Sequence, residues 1–237
     1  MHWWQFVLLV GAPLLGGGLA AWRMPGREEG FRLVLTFSGA FLFGVAVLHL
    51  FPIAFGGGYS AGVYVLAGFV LQLILEQLTQ GIEHGHFHAH RSPAFITSLL
   101  VGLTVHSFFD GVPVYAGESH NHDHSLFWAV SLHKVPEGYA LVAILVMCGV
   151  ALRNALLLLL AFAFVAPAGT WFAAWIDGMN PAWLQALYGL VSGLILHVST
   201  TILFESEGKG HRFTYRKIIA IAAGLLIAWA TLLTHSH

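Results

Sequence analysis

Four ionisable residues sit inside long apolar stretches: His106 and Asp110 in VHSFFDGVPVYAG, and His133 and Glu137 in LHKVPEGYA. Each pair is spaced i, i+4, which on a helix puts both side chains on one face, one turn apart. Ionisable groups at the middle of a bilayer are costly and turn toward a protein interior or a water path. Two imidazoles and two carboxylates at one depth form a donor set for a divalent first-row metal such as Zn, Fe, Mn or Co, and ligand type alone does not separate these ions. The alternative is a pair of interhelical hydrogen bonds that only join the bundle. Such bonds contribute about 1 kcal/mol each, a small return for carboxylates at this depth.

The elements that must position these groups follow from composition. The chain has 237 residues, 57% hydrophobic and 9% charged, with a mean hydropathy of +0.77. Soluble domains average about 25% charged residues, so a polytopic all-α membrane protein in contact with a lipid bilayer is expected. Nothing in the balance of charge, −1 overall, points to nucleic acid. Cys148 is the only cysteine, which excludes an intrachain disulfide and any CxxC motif. The N-terminal stretch lacks a basic region and reads as the first span rather than a cleaved signal.

A crossing helix needs roughly 20 apolar residues. Segments near 2–22, 32–55, 61–80, 94–116, 126–149, 152–175, 184–205 and 215–234 satisfy this and form one transmembrane domain over 1–237. Nine of the ten Lys and Arg residues (Arg23, Arg27, Arg32, Arg91, Arg153, Lys209, Arg212, Arg216 and Lys217) fall in or beside the first, third, fifth and seventh connections. The positive-inside rule therefore makes those connections cytoplasmic and places both termini outside, extracellular or periplasmic. An inner (cytoplasmic) or plasma membrane location is expected. Trp3, Trp4, Trp22, Trp128 and Trp183 lie near span ends and read as an interfacial belt.

Spans four and five run antiparallel. At 1.5 Å per residue, His106 and Asp110 lie roughly 17 and 22 Å above the inner boundary, and His133 and Glu137 roughly 20 and 14 Å. His106 is thus expected to face Glu137, and Asp110 to face His133. Pro113 and Pro136 free the carbonyls of Phe109 and Leu132, and Pro167 in span six is placed to do the same. Interrupted helices at mid-membrane are where transporters build sites.

Lys134, the tenth basic residue, is three residues before Glu137, within ion-pair reach on one helix face. An unpaired ammonium at this depth is costly, so a partner such as Glu137 or Ser107 is expected. Two histidine clusters flank the spans: His84, His86, His88 and His90 in the third connection, and His120, His122, Asp123 and His124 in the fourth. Such clusters capture transition metals loosely. His49 near the outer end of span two and His197 in the inner half of span seven are candidate transient ligands, whereas Glu76 reads as an acid that snorkels to the interface.

At these residues the sequence resembles the ZIP (Zrt/Irt-like) family of divalent metal transporters. The family's HNxxDG-type motif in span four corresponds to His106-Ser107-Phe108-Phe109-Asp110-Gly111. Its HExPHE-like motif in span five corresponds to His133-Lys134-Val135-Pro136-Glu137-Gly138. GAFLFGVAVLHLFP, the eight spans, the outward termini and the histidine-rich third connection match as well. The resemblance implies a primary metal site at His106, Asp110, His133 and Glu137. It also implies an elevator-like movement of spans one, four, five and six against two, three, seven and eight, often in a homodimer. In some members a second metal binds beside the first. Here Ser107 replaces the usual Asn, Lys134 replaces the usual carboxylate, and span six (152–175) holds no acid, so a single-metal site is implied.

The function expected is a permease that moves Zn²⁺ into the cytoplasm. Fe²⁺, Mn²⁺, Co²⁺ and Cd²⁺ are its chemical relatives, and no cofactor is required. An intramembrane zinc hydrolase is the alternative from another class. A catalytic zinc keeps three protein ligands and an open water position, whereas four close ligands with histidines on both sides suit passage. A metal sensor leaves the ligands on both sides unexplained, and no effector domain is present.

Overall fold

The computed structural model describes residues 1–22, 28–56, 58, 60–81, 92–119, 124–205 and 214–233. His84, His86, His88, His90, His120, His122 and Asp123 lie outside these residues, as do Arg23, Arg27, Arg91, Lys209 and Arg212.

Among the described residues the chain is helical, with eight helical stretches long and apolar enough to cross a membrane. The first span is α1 (Trp3–Trp22). The second joins α2 (Glu28–Val45), a π-helical turn (Ala46–Leu50) and α3 (Phe51–Phe55). Then follow α4 (Ala61–Thr79), α5 (Pro93–Ser119) and α6 (Ser125–Met147). Span six divides into α7 (Leu152–Phe162) and α8 (Val165–Met179), and α9 (Pro181–Glu205) and α10 (Tyr215–Leu233) complete the chain.

The prolines act unequally. Pro113 and Pro136 are accommodated inside unbroken helices α5 and α6. Neighbouring elements can re-satisfy the freed carbonyls in a bundle of this kind. Span six does break, at Ala163–Phe164, where Pro167 cannot donate to the carbonyl of Ala163. The other interruption lies in span two. There the amide of Phe51 reaches back five residues to the carbonyl of Ala46, and Pro52 follows.

The spans pack as two groups. α1 packs mainly on α6, and α5 on α8; α4 packs mainly on α9, and α2 on α10. Small residues let these backbones close up: a Cβ on Gly138 would strike the Pro13 carbonyl, and one on Gly111 the Ala166 carbonyl. Gly68 and Gly193 do the same between α4 and α9. The first group (α1, α5, α6, α7–α8) meets the second (α2–α3, α4, α9, α10) along α2 with α6, α4 with α5, and α9 with α5 and α8. A core of Val45, Leu50, Val112, Ala116, Ala129, Tyr188 and Val191 fills this seam. The α6 span is the most buried, 72% of its apolar window, and α10 the least, 17%, so α6 and its charged residues lie at the centre of the molecule.

Candidate metal centre

α5 and α6 bring His106, Asp110 and His133 together. One donor atom from each lies within 4.8 Å of the others, and all three side chains are buried. The i, i+4 spacing sets His106 Nε2 3.3 Å from Asp110 Oδ2. The ring of His133 meets that of His106 edge to face, with centroids 6.1 Å apart.

Glu137 stands beside this trio, and Lys134 joins the two. The Lys134 Nζ donates to Asp110 Oδ2 at 2.7 Å, to Ser107 Oγ at 2.9 Å and to Glu137 Oε2. The expected partners Ser107 and Glu137 are both present, and Asp110 is an additional one. The ammonium is only 1% exposed and lies 6.0 Å from the centroid of the Phe162 ring. An ammonium removed from water in this way is tolerable only because three oxygens surround it. Glu137 Oε1 has no hydrogen-bond partner among the described residues. Its second oxygen is therefore available to an ion.

Asp110 faces His133 as expected, whereas the expected facing of His106 with Glu137 takes another form. The three donors form one cluster, and Glu137 is drawn to Lys134, because an ammonium three residues away on the same helix outcompetes a neutral imidazole. Thr170 supports the region by donating from α8 to the Gly111 carbonyl at 2.8 Å.

Away from the centre, several expectations change. Glu76 does not snorkel: its Oε2 lies 2.6 Å from His197 Nε2 and its side chain is 19% exposed. That bond joins α4 to α9 within one group, with Phe69 packed edge-on against the imidazole. His49 sits in the π-helical turn and bonds Thr231 of α10 at 3.0 Å, so it ties α2 to its neighbour. His124 lies at the start of α6, 3.4 Å from Gln5 Nε2 and against Trp4. Span six extends to Met179 and so contains an acid after all. Asp177 accepts a hydrogen bond from the Tyr115 hydroxyl at 2.7 Å, at the end of the helix remote from Lys134.

Gln72 of α4 was absent from the candidates. It is fully buried, and its Oε1 lies 3.3 Å from His106 Nδ1. An amide in the otherwise apolar run Leu71 to Leu75 was its only signal.

Residues 82–232 match the family profile described as ZIP Zinc transporter. The chain is 28% identical over 204 residues to Zinc transporter ZIP9 of Micropogonias undulatus, covering 74% of this chain and 64% of the relative. It is 27% identical over 203 residues to Zinc transporter ZIP9 of Xenopus tropicalis and, separately, to Zinc transporter ZIP9-A of Xenopus laevis, covering 74% of this chain and 66% of each relative. The match thus spans a little under two thirds of these curated relatives.

Proposed function

The chain belongs to the ZIP zinc transporter family, and on that premise we propose that it carries a divalent metal ion, foremost Zn²⁺, across a membrane through the centre built on His106, Asp110 and His133. The observation that carries this reading is the convergence of three buried donors from two helices within 4.8 Å of one another. Glu137, with one oxygen unclaimed, is the fourth ligand. Metal binding requires neutral imidazoles and ionised carboxylates, so ions and protons compete for the same atoms.

The centre holds one ion. Lys134 Nζ lies among Ser107, Asp110 and Glu137 and serves there as a tethered cation. With both carboxylates ionised, the unit of Asp110, Glu137 and Lys134 carries one net negative charge when empty and one net positive charge with a divalent ion. Neither state concentrates charge as two acids without the ammonium would.

The split of basic residues supports both termini outside and movement of the metal into the cytoplasm. Transport then proceeds by sliding of α1, α5, α6 and α7–α8 against the other spans. The division of packing into two groups supports that movement. Family membership, together with an ammonium filling the space beside the three donors, favours passage over hydrolysis.

The test is uptake of radioactive zinc into proteoliposomes with Fe²⁺, Mn²⁺, Co²⁺ and Cd²⁺ as competitors, run beside a lipid-hydrolysis assay on the purified protein. Saturable uptake that is lost in Asp110→Ala is expected. Zinc-dependent hydrolysis without flux would refute the reading.

A further inference from the structure

Gln72 lies on the narrow buried stripe of α4, which reads Gly68, Gln72, Leu75 and Thr79. The rest of that span faces outward, with only 22% of its apolar window buried. An amide here is poorly explained by stability. Its Nε2 has no hydrogen-bond partner among the described residues, and a buried amide half satisfied is worse than an apolar side chain of similar size. Leucine or methionine would pack the stripe better, so the carbonyl oxygen is the part with a purpose.

That oxygen lies 3.3 Å from His106 Nδ1. A carbonyl only accepts, so a hydrogen bond between this oxygen and a neutral ring requires the proton on Nδ1 and leaves the lone pair at Nε2. Nε2 points at the cluster, 3.3 Å from Asp110 Oδ2. A lone pair and a carboxylate oxygen face each other there, with the Lys134 ammonium 2.7 Å from that oxygen, so both atoms are donors that a metal ion can use. The imidazole is thereby divided, with one nitrogen held by the amide and the other presented to an ion. Partners behind a ligating histidine fix its tautomer and ring orientation in this way, and removing them costs about 10- to 100-fold in metal affinity.

We propose that Gln72 is a positioning residue for the transported metal, holding His106 in the tautomer that binds the ion. This rests on His106 being a ligand. Gln72 belongs to the second helix group and His106 to the first, so their bond crosses the seam. It persists only while α4 and α5 keep this register. Sliding of one group past the other therefore removes the support from His106 and weakens the centre's grip on the ion. A link between helix position and metal affinity is what release after translocation requires.

The test uses Gln72→Met, which keeps the volume and removes the acceptor, and Gln72→Glu, which keeps an acceptor oxygen. Calorimetric titration with Zn²⁺ is expected to show about tenfold weaker binding in Gln72→Met and recovery in Gln72→Glu. In a His106→Ala background, Gln72→Met is expected to have no further effect. In ¹⁵N spectra of histidine-labelled protein without metal, the His106 signal, identified by its loss in His106→Ala, is expected to leave the Nδ1–H position in Gln72→Met. Wild-type affinity in Gln72→Met, a full effect persisting without His106, or an unmoved His106 signal would overturn the assignment. Wild-type affinity in His106→Ala would overturn both this and the metal-centre reading, whereas failure of Gln72→Met alone leaves the centre standing.

Discussion

The two helix groups differ in where their buried ionisable residues gather. In the first, His106, Asp110, His133, Lys134 and Glu137 converge on one buried centre, where two acids share one ammonium. In the second, polar groups are settled in separate local pairs: His197 with Glu76, His49 with Thr231, and Gln185 with the carbonyls of Ile53 and Ala54. Local pairs stiffen a frame, because each donor already has its acceptor. A shared, under-satisfied centre is a place where an ion can exchange with existing partners. Gln72 is the point where the frame reaches into the centre.

If the first group alone holds the ion, breaking its centre has the largest effect. Asp110→Ala is expected to weaken zinc binding by about a hundredfold or more, roughly 3 kcal/mol, since Asp110 is both a ligand candidate and a partner of Lys134. The same change leaves a buried ammonium with one acid fewer, and a drop of several degrees in thermal unfolding in detergent is expected with it. Titration and scanning calorimetry read the two losses. Unchanged affinity would erase the contrast between the groups.

The next test addresses the seam. Ser98 Oγ of α5 donates to the Leu78 carbonyl of α4 at 3.2 Å, so cysteines at these positions are within reach of a short thiol cross-linker. With Cys148 replaced by Ser, cross-linking Ser98→Cys to Leu78→Cys is expected to stop transport and leave equilibrium zinc binding within about threefold. A threefold change is small beside a tenfold step, which is about 1.4 kcal/mol. Continued flux in the cross-linked protein would mean that the groups need not slide.

A smaller effect is expected from remaking the second metal place. Ser107→Asn with Lys134→Asp removes the tethered cation and supplies two oxygens, and a second zinc equivalent about tenfold weaker than the first should appear in titration. No second equivalent in a folded protein would show that Lys134 does not occupy such a place.

The smallest effect is expected in the frame. Glu76→Gln keeps a hydrogen-bonding group opposite His197, and should cost about 1 kcal/mol of stability or less with transport within threefold of wild type. Abolished uptake in that variant would move the Glu76–His197 pair from frame to pathway and break the comparison.

What the sequence made legible follows from its periods. Eight apolar runs gave spans within a few residues of the helices, and two i, i+4 pairs with matching depth brought the ligand candidates together. Lys134 was readable as paired because a lone ammonium so far from water has no other economy. Rotation of a helix about its axis was not readable where both faces are apolar, which is why Gln72 was missed. His49 lies in a π-helical turn and bonds Thr231, and the apolar pattern carries no trace of that turn. Asp177 was lost because the apolar run fades before the helix ends.

The central claim is that one ion is held by donors from α5 and α6, with Lys134 in place of a second. It is tested most directly by zinc titration of the purified protein after His84, His86, His88, His90, His120 and His122 are changed to Ser, with bound metal counted by mass spectrometry. One tight equivalent that disappears in His133→Ala is the predicted result. Two tight equivalents, or one that survives His133→Ala, would contradict it.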